Sequence, residues 1–182
     1  MKNLYIILAV IGLWSFTLAD DSCGKQRWEI KTLSDKDAGK IRLKPKKTTI
    51  RKMRALKVKP TKDDTPRQPI EMKAVKLDCY IAEYKKEGDH DYHLIIFSGK
   101  DTMVAEIVDP DCPDAKKSQY NSTFRTVRDT FDVYKKQGKY KKHKWRITGI
   151  PFIDVKHNGT RPEGQAPNEV EIHPVMKMER LN

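Results

Sequence analysis

The sequence predicts a mainly β domain: a five-stranded Greek-key barrel with one helix between its third and fourth strands, preceded by an N-terminal extension. Three observations carry this reading. From residue 72 onward several short runs alternate apolar with polar residues, the period of half-buried strands. One longer stretch carries apolar residues at helical spacing. The order along the chain is three strands, the helix, then two more strands.

Taken in turn, Val75, Leu77, Cys79 and Ile81 alternate with charged or polar neighbours and form the first expected strand. Residues 85–89 turn the chain, 92–97 form the second strand, and 103–108 the third, with Ser98-Gly99-Lys100-Asp101 as a tight hairpin turn and Pro110 as the stop. Phe124, Val127, Phe131 and Tyr134 make one stripe of an amphipathic helix that Gly138 ends. Residues 145–155 read as the fourth strand, with Pro151 at a bend or edge, and 170–175 as the fifth. Between them 156–168 is a long loop holding Gly159, Pro162, Gly164 and Pro167. This succession is that of an oligonucleotide/oligosaccharide-binding (OB) barrel. An open α+β sheet with the helix on one face uses the same elements.

Upstream of this expected domain, 72–182, lies an extension, 20–71, and before it a segment of different character. Lys2 precedes thirteen nearly all apolar residues, 4–16, and Thr17-Leu18-Ala19 then places small residues at a cleavage site ahead of Asp20-Asp21. Residues 1–19 therefore read as a signal peptide, because a spanning helix needs about 20 apolar residues. The expectation is an exported protein, periplasmic or extracellular, with no membrane span once the peptide is removed. Three cysteines in an oxidising compartment leave one unpaired. Cys79 sits in a buried-strand pattern, so Cys23 and Cys112 are the expected bridge. In the extension, Arg27-Trp28-Glu29-Ile30-Lys31 suggests a short strand facing the core through Trp28 and Ile30. Thr48 or Thr49 could cap a short helix bearing Ile50, Met53 and Leu56. Pro60, Pro66 and Pro69 exclude regular structure beyond it.

The 182 residues carry 37 Lys and Arg against 25 Asp and Glu, a net charge of +12. The excess is local. Residues 40–62 hold eleven bases and no acid, residues 135–146 hold seven and no acid, and the remainder is net acidic. Such runs suit polyanions, since each neutralised phosphate releases a counterion. They also suit a plain solvated surface.

Cys23-Gly24, Arg27-Trp28, Lys31-Thr32-Leu33, Asp91-Tyr92-His93-Leu94, Ala105-Glu106-Ile107 and Asp109-Pro110 together form a recognisable set. Thr148-Gly149, Phe152, Asp154, His157, Gly159, Ala166-Pro167-Asn168, Glu171-Ile172 and His173-Pro174-Val175 extend it. On these residues the mature chain resembles a group of small exported bacterial proteins without an assigned activity. The resemblance implies a bacterial exported protein and brings no catalytic mechanism.

If the hairpin loop is Gly99-Lys100, His93 faces Glu106, close enough for the carboxylate to fix an imidazole tautomer. His93, Glu106, His157 and His173 are thus the candidate catalytic residues, and His157, Glu171 and His173 the candidate metal ligands. No HxxxH or CxxC spacing supports a metal, and no nucleophile elbow or phosphate-cradling glycine loop is present, so no cofactor is expected. The expected function is a non-enzymatic module that binds nucleic acid or acidic glycan through Lys139, Lys141, Lys142, Lys144 and Arg146, with Tyr140 available for stacking. The alternatives are a divalent-metal-dependent phosphodiesterase or nuclease, similar only in architecture to staphylococcal nuclease, or a structural envelope protein.

Overall fold

The computed structural model describes residues 23–156 and 162–181. The expected signal peptide, 1–19, and the candidate His157 lie outside the described residues. The protein is mainly β, one sheet of six strands with a ring of pairings. The strands are β1 (Arg42–Lys47), β2 (Lys73–Lys86), β3 (Tyr92–Ser98), β4 (Asp101–Ile107), β5 (Lys144–Ile153) and β6 (Val170–Leu181). The helices are α1 (Trp28–Lys31), α2 (Ile50–Arg54), α3 (Pro113–Lys117) and α4 (Asn121–Lys136).

The long strand β2 organises the ring. Its first half pairs antiparallel with β5, from Val75↔Gly149 to Tyr80↔Lys144, and its second half pairs with β3, from Tyr80↔Phe97 to Lys86↔Tyr92. A register shift between Ile81 and Glu83 marks the changeover, as bulges do where a strand bends. The β3–β4 hairpin turns on Gly99 and Lys100, with Gly99 at φ 63°, a left-handed conformation that glycine adopts without a Cβ clash. The ring closes through β4 and β6, parallel at Ala105↔Ile172, and through β6 and β5. Gly149 permits that last contact: a Cβ there would stand 2.3 Å from Ile172 Cγ2 and 2.5 Å from the Pro174 carbonyl. The close approach fixes where Glu171 and His173 lie.

Helix α4 covers the ring with Val127 and Phe131, packed among Leu77, Ile81, Leu94 and Trp145. A second cluster joins Trp28, Leu33 and Ile41 of the extension to Phe124 and Ile150. The expected cap at Thr49 is present, its side chain accepting the Lys52 N–H 3.2 Å away.

Three elements differ from expectation. Residues 28–31 are helical rather than extended; Arg27 takes φ 52°, and Thr32 returns its N–H to the Trp28 carbonyl. A four-residue segment with two apolar positions has too little pattern to separate the two periods. The extension also supplies a sixth strand, β1, paired parallel with β2 by Lys46↔Val75 and Lys47↔Lys76. Its side chains are largely exposed on both faces, so backbone hydrogen bonds define it and no hydrophobic alternation announces it. Finally, β6 continues past 175 to Leu181.

Candidate functional site

The β3–β4 hairpin and the β4–β6 pairing bring five titratable side chains together. His93 and Glu106 are directly opposed on the hairpin, and His93 Nδ1 lies 2.9 Å from Glu106 Oε1. The register Ala105↔Ile172 sets Glu106 beside the end of β6. There His173 Nδ1 meets Glu106 Oε2 at 3.1 Å and Glu171 Oε1 at 3.1 Å, while Nε2 faces Asp91 Oδ2 at 3.3 Å. His173, Glu171 and Asp91 are buried, Glu106 nearly so, and His93 stands at the rim with its side chain 19% exposed.

Burial costs the charged form of every group here, and the neighbours decide the outcome. Desolvation pushes Glu171 up to about 7, with the charges of Glu106 and Asp154 adding to it. Desolvation also takes Asp91 to about 6, against the pull of His173. Glu106 is held well below the ordinary carboxylate range: burial opposes its charge, but His173, His93 and Lys31 surround it. His173 is raised well above its usual value because its contacts with Glu106, Asp91 and Glu171 outweigh desolvation. Nδ1 thus stands within reach of two carboxylates, and Nε2 faces the Asp91 carboxylate as a charge contact. Asp91, Glu106 and His173 are close enough to hold a metal ion, but a metal would need a free lone pair on one of those nitrogens.

Helix α1 closes the cluster from the extension. Lys31 Nζ lies 3.6 Å from Asp154 and 5.2 Å from the Phe152 ring centroid; burial disfavours its charge, but Glu171, Glu106, Asp154 and Asp89 together raise its pKa. Trp28 meets the His173 ring edge-on at 6.5 Å. Two fastenings hold α1 there. Cys23 and Cys112 form the expected disulfide, with Cys79 buried and free. Arg27 clasps Glu71 through two hydrogen bonds of 2.8 and 2.7 Å, both side chains fully buried, and donates to the Ile153 carbonyl at 2.7 Å. Over the cluster opens a cleft of about 670 Å³, bounded by 85–89, by Pro162 and Gln165, and by α1.

The basic runs lie on a different surface. Leu77, Cys79 and Ile81 point inward along β2, so Lys76, Asp78 and Tyr80 point outward. Directly opposed partners extend this outer face into rows: Lys47, Lys76, Thr148 and Lys177 in one, Asp78, Arg146 and Glu179 in the next, then Phe97, Tyr80, Lys144 and Leu181. Tyr80 is exposed and stacks on Phe97 with centroids 5.6 Å apart. Lys139, Lys141 and Lys142 flank the start of β5 in an exposed turn. Arg146 is bidentate to Asp78 at 2.7 and 3.0 Å, so its charge is locally compensated. Tyr140 packs edge-on against Tyr84 and near Phe131, and its carbonyl accepts the Trp145 indole N–H.

Of the candidate residues, His93, Glu106, Glu171 and His173 thus share one cluster; Lys144 and Arg146 lie on the outer face, whereas Lys139 and Lys142 line a hollow beside Val133, Tyr134 and Gln137 of α4, with Lys141 in the same turn. Sequence reasoning missed Asp91, Lys31 and Trp28. Asp91 could have been found by extending the strand register two residues past His93; Lys31 and Trp28 carried no signal, because only the fastening of α1 brings them in.

No protein-family model and no curated protein sequence matches the chain. Among solved structures, the chain is similar to a protein of Leishmania major Friedlin assigned as an aspartyl-tRNA synthetase, with 11% identity and a TM-score of 0.40. The likeness covers 75% of this chain but spans only 21% of that one, and we rest no argument on it.

Proposed function

We propose that the protein is an exported, OB-like module that holds an anionic polymer on the outer face of its sheet. The strand order β2-β3-β4-β6-β5 and back to β2, with α4 between β4 and β5 along the chain, supports the OB-like reading. A disulfide is at home in an oxidising compartment, and no helix among the described residues is long and apolar enough to cross a membrane.

One observation carries the binding reading. The two basic runs, remote in sequence, flank the same strand: Lys47 stands opposite Lys76 on one side of β2, and Lys144 opposite Tyr80 on the other. In the row of Lys144 the Tyr80–Phe97 stack offers exposed aromatic surface. Cations around an aromatic platform favour single-stranded nucleic acid, whose phosphates and bases use both. Tyr140 is committed to packing, so the stacking role belongs to Tyr80 and Phe97.

Fluorescence anisotropy with labelled oligo(dT), duplex DNA and heparin, from 50 to 300 mM salt, tests this. The expected result is binding to oligo(dT) that weakens steeply with salt and exceeds duplex binding. Preference for heparin would move the reading to an acidic glycan, and the lack of salt-dependent binding to all three would end it.

A further inference from the structure

The cleft over His93, Glu106 and Glu171 is a second site, of opposite character to the basic face. We propose that it is a catalytic site that hydrolyses the glycosidic bond of an uncharged oligosaccharide, with His93 as the base that activates water and Glu171 as the acid that protonates the departing oxygen. It stands on different residues from the outer face, so either reading can fail without the other.

The geometry selects the chemistry. Nδ1 of His93 is taken by Glu106, which leaves Nε2 to exchange a proton at the rim of the cleft. The Glu106 carboxylate orients the ring, as a positioning residue. Glu171 lines the same cleft from β6. Among the described lining residues there is no serine, threonine or free thiol, since Cys23 is in its disulfide, and water is the nucleophile proposed. The described lining carries six carboxylates against three lysines, a balance that disfavours a phosphodiester and admits a neutral ligand. Trp28, buried and lining the cleft, has an indole N–H with no hydrogen-bond partner among the described residues, a donor that a sugar hydroxyl would satisfy. An alcohol leaving group needs a proton. Burial with the neighbouring carboxylates raises Glu171 to about 7 while Glu106 stays ionised, so Glu171 is the carboxyl that holds a proton to give.

In the step, water oxygen bonds to the anomeric carbon as the bond from that carbon to the leaving oxygen breaks. His93 Nε2 takes the water proton, and the Glu171 proton goes to the leaving oxygen. His93 Nε2 then gives its proton to water at the rim and Glu171 takes one up from water in the cleft, which returns both groups to their starting state with only water consumed.

The mature protein is incubated with cellotetraose, tetra-N-acetylchitotetraose and maltotetraose, and new reducing ends are counted; bis-p-nitrophenyl phosphate is the charged comparison. The expected result is cleavage of at least one tetraose and none of the phosphate. Glu171→Gln and His93→Gln each lower the rate at least about a hundredfold. Glu171 is faced by Glu106 from β4, Asp154 after β5, Lys31 from α1 and His173 on its own strand; His93 is faced by Glu106, Glu171 and Glu87. The wild-type pH profile is bell-shaped, falling at high pH as Glu171 ionises and at low pH as His93 is protonated. Glu171→Gln removes the alkaline limb and His93→Gln the acid limb. If the buried Glu171→Gln variant does not fold, the rim variant His93→Gln and the wild-type profile still decide. No tetraose cleaved, cleavage of the phosphate, or full activity in His93→Gln overturns the proposal.

Discussion

His93 Nδ1 and Glu106 Oε1 stand 2.9 Å apart across a hairpin whose two-residue turn, Gly99-Lys100, sets them directly opposite. The other oxygen of Glu106 reaches His173 on a strand that arrives from the far end of the chain. One carboxylate therefore ties a local hairpin to a long-range parallel pairing, and the charge state of the cluster becomes part of the fold's stability.

The pH dependence of that stability has a definite sign. His173 binds its proton more tightly folded than unfolded, so its contribution is complete below its usual 6.5 and is lost as the pH rises through the higher folded value. Asp91 and Glu171, raised to about 6 and about 7, take up protons on folding, so stability falls as the pH climbs from their usual 3.8 and 4.5 through those values. Glu106 acts oppositely: its contribution is present above 4.5 and fades as the pH falls through its depressed folded value. Urea unfolding should show greater stability at pH 5 than at pH 8, and Glu171→Gln should reduce the difference. Equal stability at both values would contradict the cluster's charge assignment.

The Arg27–Glu71 clasp is fully buried, and Glu71 also accepts the Ile153 N–H at 2.9 Å and the Gln68 N–H at 2.6 Å. Glu71→Ala leaves a buried guanidinium without its counter-charge and two backbone donors unsatisfied, so we expect a loss of about 3–5 kcal/mol in urea unfolding. Loss of less than about 1 kcal/mol would mean that Arg27 finds other acceptors.

The Cys23–Cys112 bridge closes a loop with a sequence separation of 89. Chain-entropy reasoning assigns such a loop about 4–5 kcal/mol, and measured native bridges cost about 2–5 kcal/mol to remove. The Cys23→Ser, Cys112→Ser double variant should lose stability in that range. Cys79, its thiol pushed up to about 12 by burial, should resist iodoacetamide in the native protein at pH 8 and react once in urea.

What could be read in the sequence followed from local rules. The turn chemistry at Gly99 set the His93–Glu106 register, the Phe124-Val127-Phe131 stripe marked α4, and an odd cysteine count with one buried strand position chose the bridge. What could not be read depends on distant partners. Strand β1 has no inward face to pattern, and α1 turns where it does because Arg27 is held by Glu71, 44 positions away. The juxtaposition of Glu106 with His173 needs the parallel pairing Ala105↔Ile172, which no local signal encodes. The outer face likewise emerges only when β1 and β5 are laid on either side of β2.

The basic turn before β5, which meets the outer face at Lys144, gives the most quantitative test. Lys139, Lys141, Lys142 and Lys144 are candidates for phosphate contacts, which position a strand without reading its sequence. On single strands each such contact adds about 0.7 to the slope of log affinity against log salt, so replacing all four with Gln should flatten the slope by up to about three units. Their side chains make no ion pair among the described residues, so the melting temperature should stay unchanged. Tyr80→Ala acts through a different term. It removes the exposed half of the Tyr80–Phe97 stack and should weaken oligo(dT) binding by about 1–3 kcal/mol while leaving the salt slope intact. An unaltered slope in the lysine variant would place the polymer elsewhere. A changed slope with normal affinity in Tyr80→Ala would mean that the face binds charge alone.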